Sequence, residues 1–575
     1  MKIKLFLILI MGLLTFSLAV AQEEKKVIRV GISNQSFSNY SHYSAKVMSD
    51  STVSIIDMSE SNSDSQVSTV QAGSVIEILF ANGLFNIQTD GRLIAEQLQG
   101  PILLNSNTDL KIMDLNRKGT PAKYKGMLEF KAATNKLGFN IINVIDMENY
   151  LRGVVPNEMP VSFGLEALKA QAVAARNYAV NSAMNKNYDL VDSTASQVYY
   201  GSNSYRDISD NAVNSTKGIY ALYHGKPITA LYFSTSAGIT DDWDDVFADA
   251  NNKGIHPYLK ARYDKQGQTA LRTEDDVKKF YSSQDGGIDK NSPKYRWTIE
   301  FTREELENIL HDTLQQQSKA GLVTPKYDGF EKIEGLKEIK PLKRTQSGKI
   351  TELLIVAKSG EYKISKEIGI RRVLKKNGAM LPSANFYIET SGEDKIKDNK
   401  EEINKTDETV ENTDKKGNIF VRFFDDIDKY PKNFKLTGGG FGHGVGMSQF
   451  GAYNMARMGR KYPEILNHYY TSINLSTYPK TVFYNNYNIS YKTEFYFDTS
   501  SFKQAYLYVD NSRGVNEFPF KINDFDFSET SDIAKNKVIK TDITQYLKNG
   551  NNTIDFAPLS ERNKGRYIIY RVEFL

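Results

Sequence analysis

Short runs of alternating hydrophobic and polar residues dominate the first part of the chain. Between residues 27 and 114, runs such as VIRVGIS, SVIEILF and LFNIQTD are separated by turns rich in serine, asparagine and glycine. Such alternation is typical of β-strands that bury one face. The end of the chain shows the same pattern in EFYFD, AYLYVD and YIIYRVEF. The pattern therefore predicts two β-rich modules, over residues 27–120 and 487–575.

The middle of the chain changes to a helical period. After the strand-like GFNIINVI and the helical DMENYLRGV, apolar residues recur at helical spacing at Leu165, Leu168, Ala172, Ala175 and Ala179. This spacing predicts a helix, with Ser162 placed to cap its first turn. Another helix is predicted at TREELENIL, where Thr302 and Glu305 fit a capping box. We therefore predict an α+β fold, with a mixed central domain over residues 125–480.

One segment of the central domain lacks the residues needed for a core. Residues 391–417 contain no aromatic residue, and their few large apolar residues are about seven positions apart. One apolar residue per seven cannot form the seam of a coiled coil. We predict a solvated, disordered insertion here. For the C-terminal module, a structural β-sandwich is favoured over a carbohydrate-binding jelly roll, because no binding residues can be named.

The N-terminus has the layout of a secretory signal peptide. Lys2 and Lys4 precede an apolar run, and Ala19 and Ala21 provide a small-residue cleavage pattern, so residues 1–21 are predicted to be removed. An uncleaved membrane anchor is the alternative, but the apolar run is rather short for one. We expect an extracytoplasmic protein, in the periplasm or the cell wall, with no membrane span after cleavage. The chain has no cysteine, which excludes disulfides and thiolate metal sites.

The charge balance argues against a nucleic-acid partner. Lysine and arginine number 73 against 69 acidic residues, a net charge of only +4. Neutralising a phosphate backbone requires a basic surplus or stripe, which this composition does not supply. We therefore expect no nucleic-acid binding.

A glycine-rich stretch, GGGFGHGVGMSQFGAYNMARMG, occupies residues 438–459. It does not match a dinucleotide fingerprint or a P-loop, since no G-x-G-x-x-G register fits and no lysine follows. The histidines elsewhere show no paired ligand spacing, so a metal site is also disfavoured. Two interpretations remain: the glycines let the backbone approach a bulky ligand beside His443 and Gln449, or they form a structural turn.

A second candidate lies in LRGVVPNEMP. Glu158 has apolar neighbours here, and burial among them would raise its pKa so that it holds a proton near neutral pH. Taken alone, the feature fits an ordinary surface glutamate better. On the following helix, Gln171 and Arg176 lie on faces that the apolar residues leave free, although Arg176 could equally be a solvated charge.

These segments together resemble the stage II sporulation protein D family, also called the SpoIID/LytB domain. The resemblance runs in order over about residues 125–478. It is carried by MENYLRGVVPNEMP, EALKAQAVAARNYAV, QVYYG, STKGIYALYHGKPITALYFSTSAGIT, IGIRRVL with LPSANFYI, GFGHGVGMSQFGAYNMARMG and EILNHYYTSI. The resemblance implies a peptidoglycan lytic transglycosylase that acts on glycan strands stripped of their peptides.

The resemblance implies that Glu158 is the catalytic acid and base and that the GHGVGMSQ segment lines the substrate cleft. The substrate-binding residues that it implies are Gln171, Arg176, Tyr178, Ser234, Ser236, Gly442, His443, Gly444, Ser448 and Gln449. His443 could orient Glu158, contact a sugar or pack the loop. Some relatives bind zinc near residues 193–200, but STASQVYY has no Cys or His, so we expect no metal and no cofactor. Asp146 and Glu148 suit helix capping better than catalysis.

Two functions therefore stand as expectations from the sequence. The first is cleavage of the MurNAc–GlcNAc linkage to leave a 1,6-anhydroMurNAc end, with glycan strands as the partner. Some relatives enhance a cell-wall amidase, so the second is a non-catalytic, glycan-binding activator or scaffold of such an amidase. The presence of Glu158 in its motif favours the enzyme.

Overall fold

A computed structural model of the chain describes residues 27–59, 65–135, 137–182, 187–223, 226–249, 251–265, 267–284, 287–395, 429–477, 481–482, 491–497, 499, 503–510, 518–527, 538–557 and 568–574. The predicted signal peptide lies outside these residues, as does the predicted insertion from residue 396 onward. The described residues form two compact units. The first unit runs up to Leu231 and resumes at Ala452, and the second unit is Tyr232–Gly451.

The first unit begins with two sheets whose strands match the alternating runs. The strands are β1 (Val27–Ile32), β2 (Ser44–Ser49), β3 (Val53–Asp57), β4 (Ser65–Val70), β5 (Ile76–Ala81), β6 (Leu84–Thr89), β7 (Arg92–Leu98), β8 (Ile102–Ser106), β9 (Leu110–Arg117), β10 (Thr120–Tyr124), β11 (Met127–Ala132), β12 (Phe139–Asp146) and β13 (Leu190–Val191). One sheet has the order β13-β1-β12-β11-β8-β3-β4 and the other β10-β9-β2-β5-β6-β7. All neighbours are antiparallel except β1 and β13.

Strand β12 is the strand that leads to the candidate site. It pairs with β1 on one side and β11 on the other, and its residues are buried from Phe139 to Ile145. Strands β11 and β12 lie beyond the predicted module boundary at residues 120–125, yet they share a sheet with the strands before it. The sheet thus continues across the position at which the sequence pattern changes.

The helices follow the predicted segments, with some differences at their ends. They are α1 (Met147–Glu158), α2 (Leu165–Asn181), α3 (Asp207–Ser215), α4 (Trp243–Val246), α5 (Glu274–Ser282), α6 (Arg303–Lys319), α7 (Glu367–Val373), α8 (Gln449–Arg457) and α9 (Tyr462–Tyr469). Thr302 caps α6 by accepting from the N–H of Glu305 at 3.1 Å, which confirms the Thr302 half of the predicted capping box. The Glu305 carboxylate contacts Lys376 at 2.6 Å.

The predicted cap of α2 is wrong. Ser162 lies in a separate 3₁₀ turn, Val161–Phe163, and Gly164 occupies the N-cap position with a φ of 88°. The positive φ lets the chain turn sharply between the two helices, and a glycine adopts it without strain. The polar residue nearest the helix start is therefore not its cap.

The remaining strands are β14 (Ile219–Tyr223), β15 (Lys226–Pro227), β16 (Tyr232–Phe233), β17 (Trp297–Thr302), β18 (Val323–Thr324), β19 (Leu336–Arg344), β20 (Ile350–Ala357), β21 (Gly360–Ser365), β22 (Phe386–Lys395), β23 (Lys429–Gly438), β24 (Met447–Ser448), β25 (Asn474–Thr477), β26 (Thr481–Val482), β27 (Tyr491–Phe497), β28 (Ala505–Asp510), β29 (Phe520–Ile522), β30 (Phe525–Phe527), β31 (Val538–Asp542), β32 (Gly550–Phe556) and β33 (Ile568–Phe574). In the first unit they form the sheets β15-β14-β25-β33-β28-β31 and β27-β32-β29-β30, with β26 beside β33. The jelly-roll interpretation stays a prediction.

The second unit has small sheets around its own core. Their orders are β17-β23-β22, β18-β21-β20-β19 and β16-β24. Leu306, Leu310 and Leu314 recur every four residues along α6 and belong to one buried cluster with Leu353 and Ile355 of β20. This spacing places the three leucines on one helix face. Mostly antiparallel sheets with helices in separate segments make the fold α+β, as predicted.

The predicted disordered insertion begins too early. Strand β22 pairs with β23 up to Lys395, so residues 391–395 of the predicted disordered insertion are strand. Among the described residues, no helix is both long and apolar enough to cross a bilayer.

Candidate active site

Glu158 is the last residue of helix α1. The helix begins after Asp146, whose side chain accepts a hydrogen bond from the N–H of Asn149 at 3.1 Å, so the predicted capping role of Asp146 is confirmed. It ends where Met159 turns to an extended conformation. A carboxylate at a helix C-terminus faces the negative end of the helix dipole. The position alone therefore disfavours the ionised form of Glu158.

The QVYYG segment, residues 197–201, holds the Glu158 carboxyl group. The N–H of Val198 donates to Oε1 of Glu158 at 2.6 Å. This segment lies directly against α1, since a Cβ on Gly153 would come within 2.5 Å of the Tyr199 ring. The Tyr199 hydroxyl donates to Asn143 of β12 at 2.6 Å. Close packing on α1 and a buried anchor thus fix the Val198 N–H, which donates to the carboxyl group.

Burial raises the pKa of Glu158 from its ordinary value near 4.5 to about 7, although the Val198 N–H acts to lower it. The side chain is largely enclosed, with part of its surface reaching solvent. Burial also raises the pKa of Tyr150 and of Tyr178, and the charge of Glu158 adds to both effects. Glu158 can therefore hold a proton near neutral pH and give it up, which a general acid and base must do.

Arg176 and Gln171 lie on α2 and are fully buried. The Arg176 guanidinium donates to both carboxylate oxygens of Glu148, at 3.0 and 2.6 Å, and to the carbonyl of Ile219 at 3.1 Å. The helix is rich in alanine, and these small side chains let neighbouring segments cover nearly every face. The helix faces that the sequence pattern leaves free are therefore buried. Because the Arg176 guanidinium is occupied by Glu148 and Ile219, the geometry favours a structural role for it over a sugar contact. Tyr178 is partly exposed.

The other predicted residues, Ser234 to Gln449, belong to the second unit. Strand β16 pairs in parallel with β24, which brings Phe233 beside Ser448. The Ser448 hydroxyl caps α8 by accepting from the N–H of Gly451 at 3.1 Å, and the N–H of Phe450 donates to the Ser234 carbonyl at 3.0 Å. These two N–H groups at the start of α8 are therefore occupied within the fold. Gln449, the first residue of α8, is partly exposed.

Asp289 connects the two motif segments of the second unit. Its buried carboxylate accepts from the N–H and hydroxyl of Ser236, from the N–H of Ala237 at 3.2 Å and from the Ser448 hydroxyl at 3.0 Å. Burial, together with the nearby charge of Asp264, raises the pKa of Asp289 to about 6. Ser236 and Ser448 are both buried, so their hydroxyls stabilise this network.

His443 uses both ring nitrogens within its own unit. The N–H of Val445 donates to Nδ1 at 3.2 Å, and Nε2 lies 3.0 Å from the Tyr232 carbonyl. The tautomer with its proton on Nε2 satisfies both bonds. Burial lowers the pKa of His443 to about 4, and the charge of Lys349 adds to this effect. Of the roles left open by the sequence, this geometry favours packing of the loop by a neutral imidazole.

The glycines of the loop face the protein's own atoms. Gly444 has a φ of 82°, and a Cβ there would meet Asp241 and Lys349 at 2.9 Å. These two residues form a buried ion pair of 3.5 Å, and the N–H of Asp241 donates to the Gly444 carbonyl at 2.8 Å. The N–H of Gly442 donates to the Pro382 carbonyl at 3.0 Å. The space around Gly444 thus accommodates an internal polar network.

Sequence reasoning missed two groups that organise these positions. The Val198 N–H is a backbone group, and QVYYG contributes to the resemblance without any residue type that would suggest a role. Asp289 lies in DGGIDKNSP, outside the segments that carry the resemblance. Its partners Ser236 and Ser448 are far from it in sequence, so no local spacing indicates the contact. Among the described residues, no group of three or more His, Cys, Asp or Glu side chains could hold a metal ion.

Comparison with known proteins decides the family. A family described as "Stage II sporulation protein" matches residues 135–223, which include Glu158 and Val198. Stage II sporulation protein D of Bacillus amyloliquefaciens is 30% identical over 350 residues, covering 58% of this chain and 74% of that protein. The chain belongs to the stage II sporulation protein D family. This confirms the resemblance predicted from the motifs.

Other matches extend the relation to the stage II sporulation protein D family. Stage II sporulation protein D of Bacillus subtilis (strain 168) is 30% identical over 351 residues, covering 58% of this chain and 75% of that protein. The amidase enhancer of Bacillus subtilis (strain 168) is 29% identical over 329 residues, or 57% of this chain. The match spans only 40% of the amidase enhancer. A domain of unknown function (DUF8618) matches residues 245–404, which contain Asp289.

Arg176→Lys should destabilise the first unit without a direct effect on glycan affinity. Lysine cannot form the bidentate contact with Glu148, and a broken buried ion pair costs about 3–5 kcal/mol. We expect the free energy of unfolding to fall by about 3 kcal/mol in urea titrations. The matched control is Arg460→Lys, which alters a largely exposed pair with Glu464 and should change stability by about 0.5 kcal/mol or less. Unchanged stability with weakened glycan binding would instead make Arg176 a substrate contact.

Glu158→Gln should stabilise the protein at alkaline pH. Because the pKa of Glu158 is about 7 in the fold, the folded state binds a proton more tightly than the unfolded chain does between about pH 4.5 and 7. The free energy of unfolding therefore falls as pH rises through this window. The amide removes this penalty, so the variant should gain about 1–3 kcal/mol at pH 8 and about nothing at pH 4. The measurement is the unfolding midpoint at both pH values. Equal stability of the variant and the wild type at pH 8 would contradict the raised pKa of Glu158. The control is Glu96→Gln, which changes an exposed carboxylate.

Proposed function

We propose that the protein is a peptidoglycan lytic transglycosylase that cleaves the MurNAc–GlcNAc linkage of peptide-free glycan strands outside the cytoplasm. The observation that carries the proposal is the largely enclosed carboxyl group of Glu158, which has a pKa of about 7 and accepts a hydrogen bond from the N–H of Val198. The names of the relatives, stage II sporulation protein D and amidase enhancer, support a role at the cell wall. The extracytoplasmic location rests on the predicted signal peptide.

In the proposed reaction Glu158 serves as acid and then as base. The protonated carboxyl group donates its proton to the glycosidic oxygen of the leaving sugar as the bond from that oxygen to C1 of MurNAc breaks. The C6 hydroxyl of the same MurNAc forms a new bond to C1, and its proton passes to the Glu158 carboxylate. No water is consumed, and the product is a 1,6-anhydro ring. A pKa near the operating pH suits both transfers.

This chemistry explains how one carboxyl group can be sufficient. Ordinary glycosidases use two carboxyl groups, one as acid and one as base or nucleophile. Here the nucleophile belongs to the substrate, so a second carboxylate is not required. The N–H of Val198 stabilises the carboxylate form that exists between the two proton transfers.

The proposed substrate contacts divide into two groups according to exposure. Tyr178 and Gln449 are partly exposed and remain proposed contacts of the glycan, together with Ser234 and Gly442. The buried residues have internal partners, and we propose that they position the others: Gln171, Arg176, Ser236, Gly444 and Ser448. His443 is partly exposed, but both of its ring nitrogens have partners within its unit, so we propose a positioning role for it as well.

The proposal predicts that Glu158→Gln abolishes release of 1,6-anhydroMurNAc products. The amide can accept the Val198 N–H but cannot transfer a proton, so turnover should fall by about 10²-fold or more. The substrate is glycan strands freed of peptides by an amidase, and the readout is mass spectrometry of the products. Glu96→Gln, which changes an exposed carboxylate of the same unit, should keep full activity.

Three outcomes would contradict the mechanism. Retained turnover in Glu158→Gln would remove the carboxyl group from its role. Products heavier by one water, with reducing ends, would indicate hydrolysis. A wild-type kcat/KM that rises above about pH 7 would also contradict it, because the proton donor is the protonated form and the pKa of Glu158 is about 7.

A second function is favoured by the similarity to an amidase enhancer. Under it, the protein binds glycan and activates a cell-wall amidase without cleaving the strand itself. Such activation requires no proton transfer, so Glu158→Gln should increase peptide release by the amidase from intact peptidoglycan as much as the wild type does. The measurement is the rate of stem-peptide release at a fixed amidase concentration. Loss of this stimulation in the variant would favour the lytic enzyme.

A further inference from the structure

Phe441 is an exposed aromatic residue at the centre of the glycine-rich loop. Its exposed fraction is 42%, whereas His443, two residues later, is held inside the unit by both ring nitrogens. The residues before and after Phe441 are glycines, so no adjacent side chain covers its ring. The loop thus exposes a large apolar ring to solvent, whereas its histidine makes hydrogen bonds within the unit.

The backbone around Phe441 is fixed on both sides. Its N–H donates to the Thr235 carbonyl at 2.9 Å, and its own carbonyl accepts from the N–H of Thr235 at 3.1 Å. The carbonyl of the preceding glycine accepts from the Trp297 indole at 3.1 Å. The N–H of the following glycine donates to Pro382 at 3.0 Å. The loop therefore holds the ring on a rigid support.

Exposure alone would not single out this residue, since scattered exposed apolar side chains are normal. Phe330 of the same unit is 90% exposed, and its N–H donates to Asp328 in a local turn. Phe441 differs because long-range hydrogen bonds pin its backbone. An aromatic ring on a fixed backbone loses little conformational entropy when it binds a ligand, and covering its exposed part removes further apolar surface from water.

We propose that Phe441 is a sugar-stacking residue of the second unit, whose ring packs against the apolar C–H face of a hexopyranose in the glycan strand. This inference rests on the proposed glycan substrate but not on the catalytic role of Glu158. A stacking ring recognises the shape of a pyranose rather than its charge, so it would set glycan affinity and leave the proton transfers unchanged.

The first test measures glycan affinity in the Glu158→Gln background, where turnover is blocked. The probe is peptide-free glycan strands, and the method is titration calorimetry. Phe441→Ala should raise the dissociation constant about five- to tenfold, by analogy with the removal of other stacking rings. Phe441→Trp should stay within about twofold of the parent. Phe330→Ala is the matched control and should leave the affinity unchanged.

The second test detects the contact itself. The chain has only two tryptophans, and both Trp243 and Trp297 are buried, so Phe441→Trp adds a distinguishable exposed fluorophore. Its emission should shift to shorter wavelength as glycan is added, because a sugar displaces water from the indole. A ring that only stabilised the loop would show no such shift. With Glu158 present, Phe441→Ala should raise KM and leave kcat within about twofold, which is the pattern of a lost binding contact.

An unchanged dissociation constant in Phe441→Ala, with no emission shift in Phe441→Trp, would overturn the inference. A ring that contacts a protein partner and not the glycan would give this same negative result. If Phe441→Ala does not fold by circular dichroism, the tryptophan variant still decides. The result is separable from the proposed function. Continued release of anhydro products by Glu158→Gln would refute the mechanism and leave the stacking role standing. Release of anhydro products by the wild type, together with an unaltered glycan affinity in Phe441→Ala, would support the mechanism and refute the stacking role.

Discussion

The chemistry proposed for this protein depends on keeping one carboxyl group largely out of water while the N–H of Val198 donates a hydrogen bond to it. Burial favours the protonated form of Glu158, and the hydrogen bond from Val198 favours the ionised form. The end of α1 and the Val198 N–H give an intermediate case, in which the pKa of Glu158 lies at about 7. Most of the first unit around α1 can be understood as support for this balance.

That support is provided by contacts that leave little freedom of movement. Gly153 allows the Tyr199 ring to lie directly on α1, and Tyr199 is anchored to Asn143 of the adjoining sheet. The Glu148–Arg176 pair joins α1 to α2 through two hydrogen bonds. A shift of α1 relative to QVYYG would lengthen the 2.6 Å bond from Val198, so packing and acidity are coupled in this fold.

Local pattern predicted the strands well but not every local detail, since Gly164 and not Ser162 stands at the N-cap of α2. Alternation predicted the N-terminal strands. The apolar neighbours of Glu158 raised the possibility of a high pKa, but alone they fitted a surface glutamate better, and the resemblance to the family was needed to single Glu158 out. The sequence pattern placed Arg176 and Gln171 on free faces of α2, but both are buried in the structure. The many alanines of this helix let neighbouring segments pack against those faces too. Asp289 could not be predicted, since its partners Ser236 and Ser448 are brought to it only by the tertiary fold.

Asp289 has a consequence for how such chains can diverge. It comes from residues 245–404, which match a separate domain of unknown function, yet it satisfies two N–H groups and two hydroxyls of the neighbouring motif segments. Loss of the Asp289 carboxylate would leave those donors without this acceptor, at about 1–3 kcal/mol for each one left buried. A chain that replaces Asp289 must therefore supply another acceptor at the same place, so position 289 and the two motif segments constrain one another.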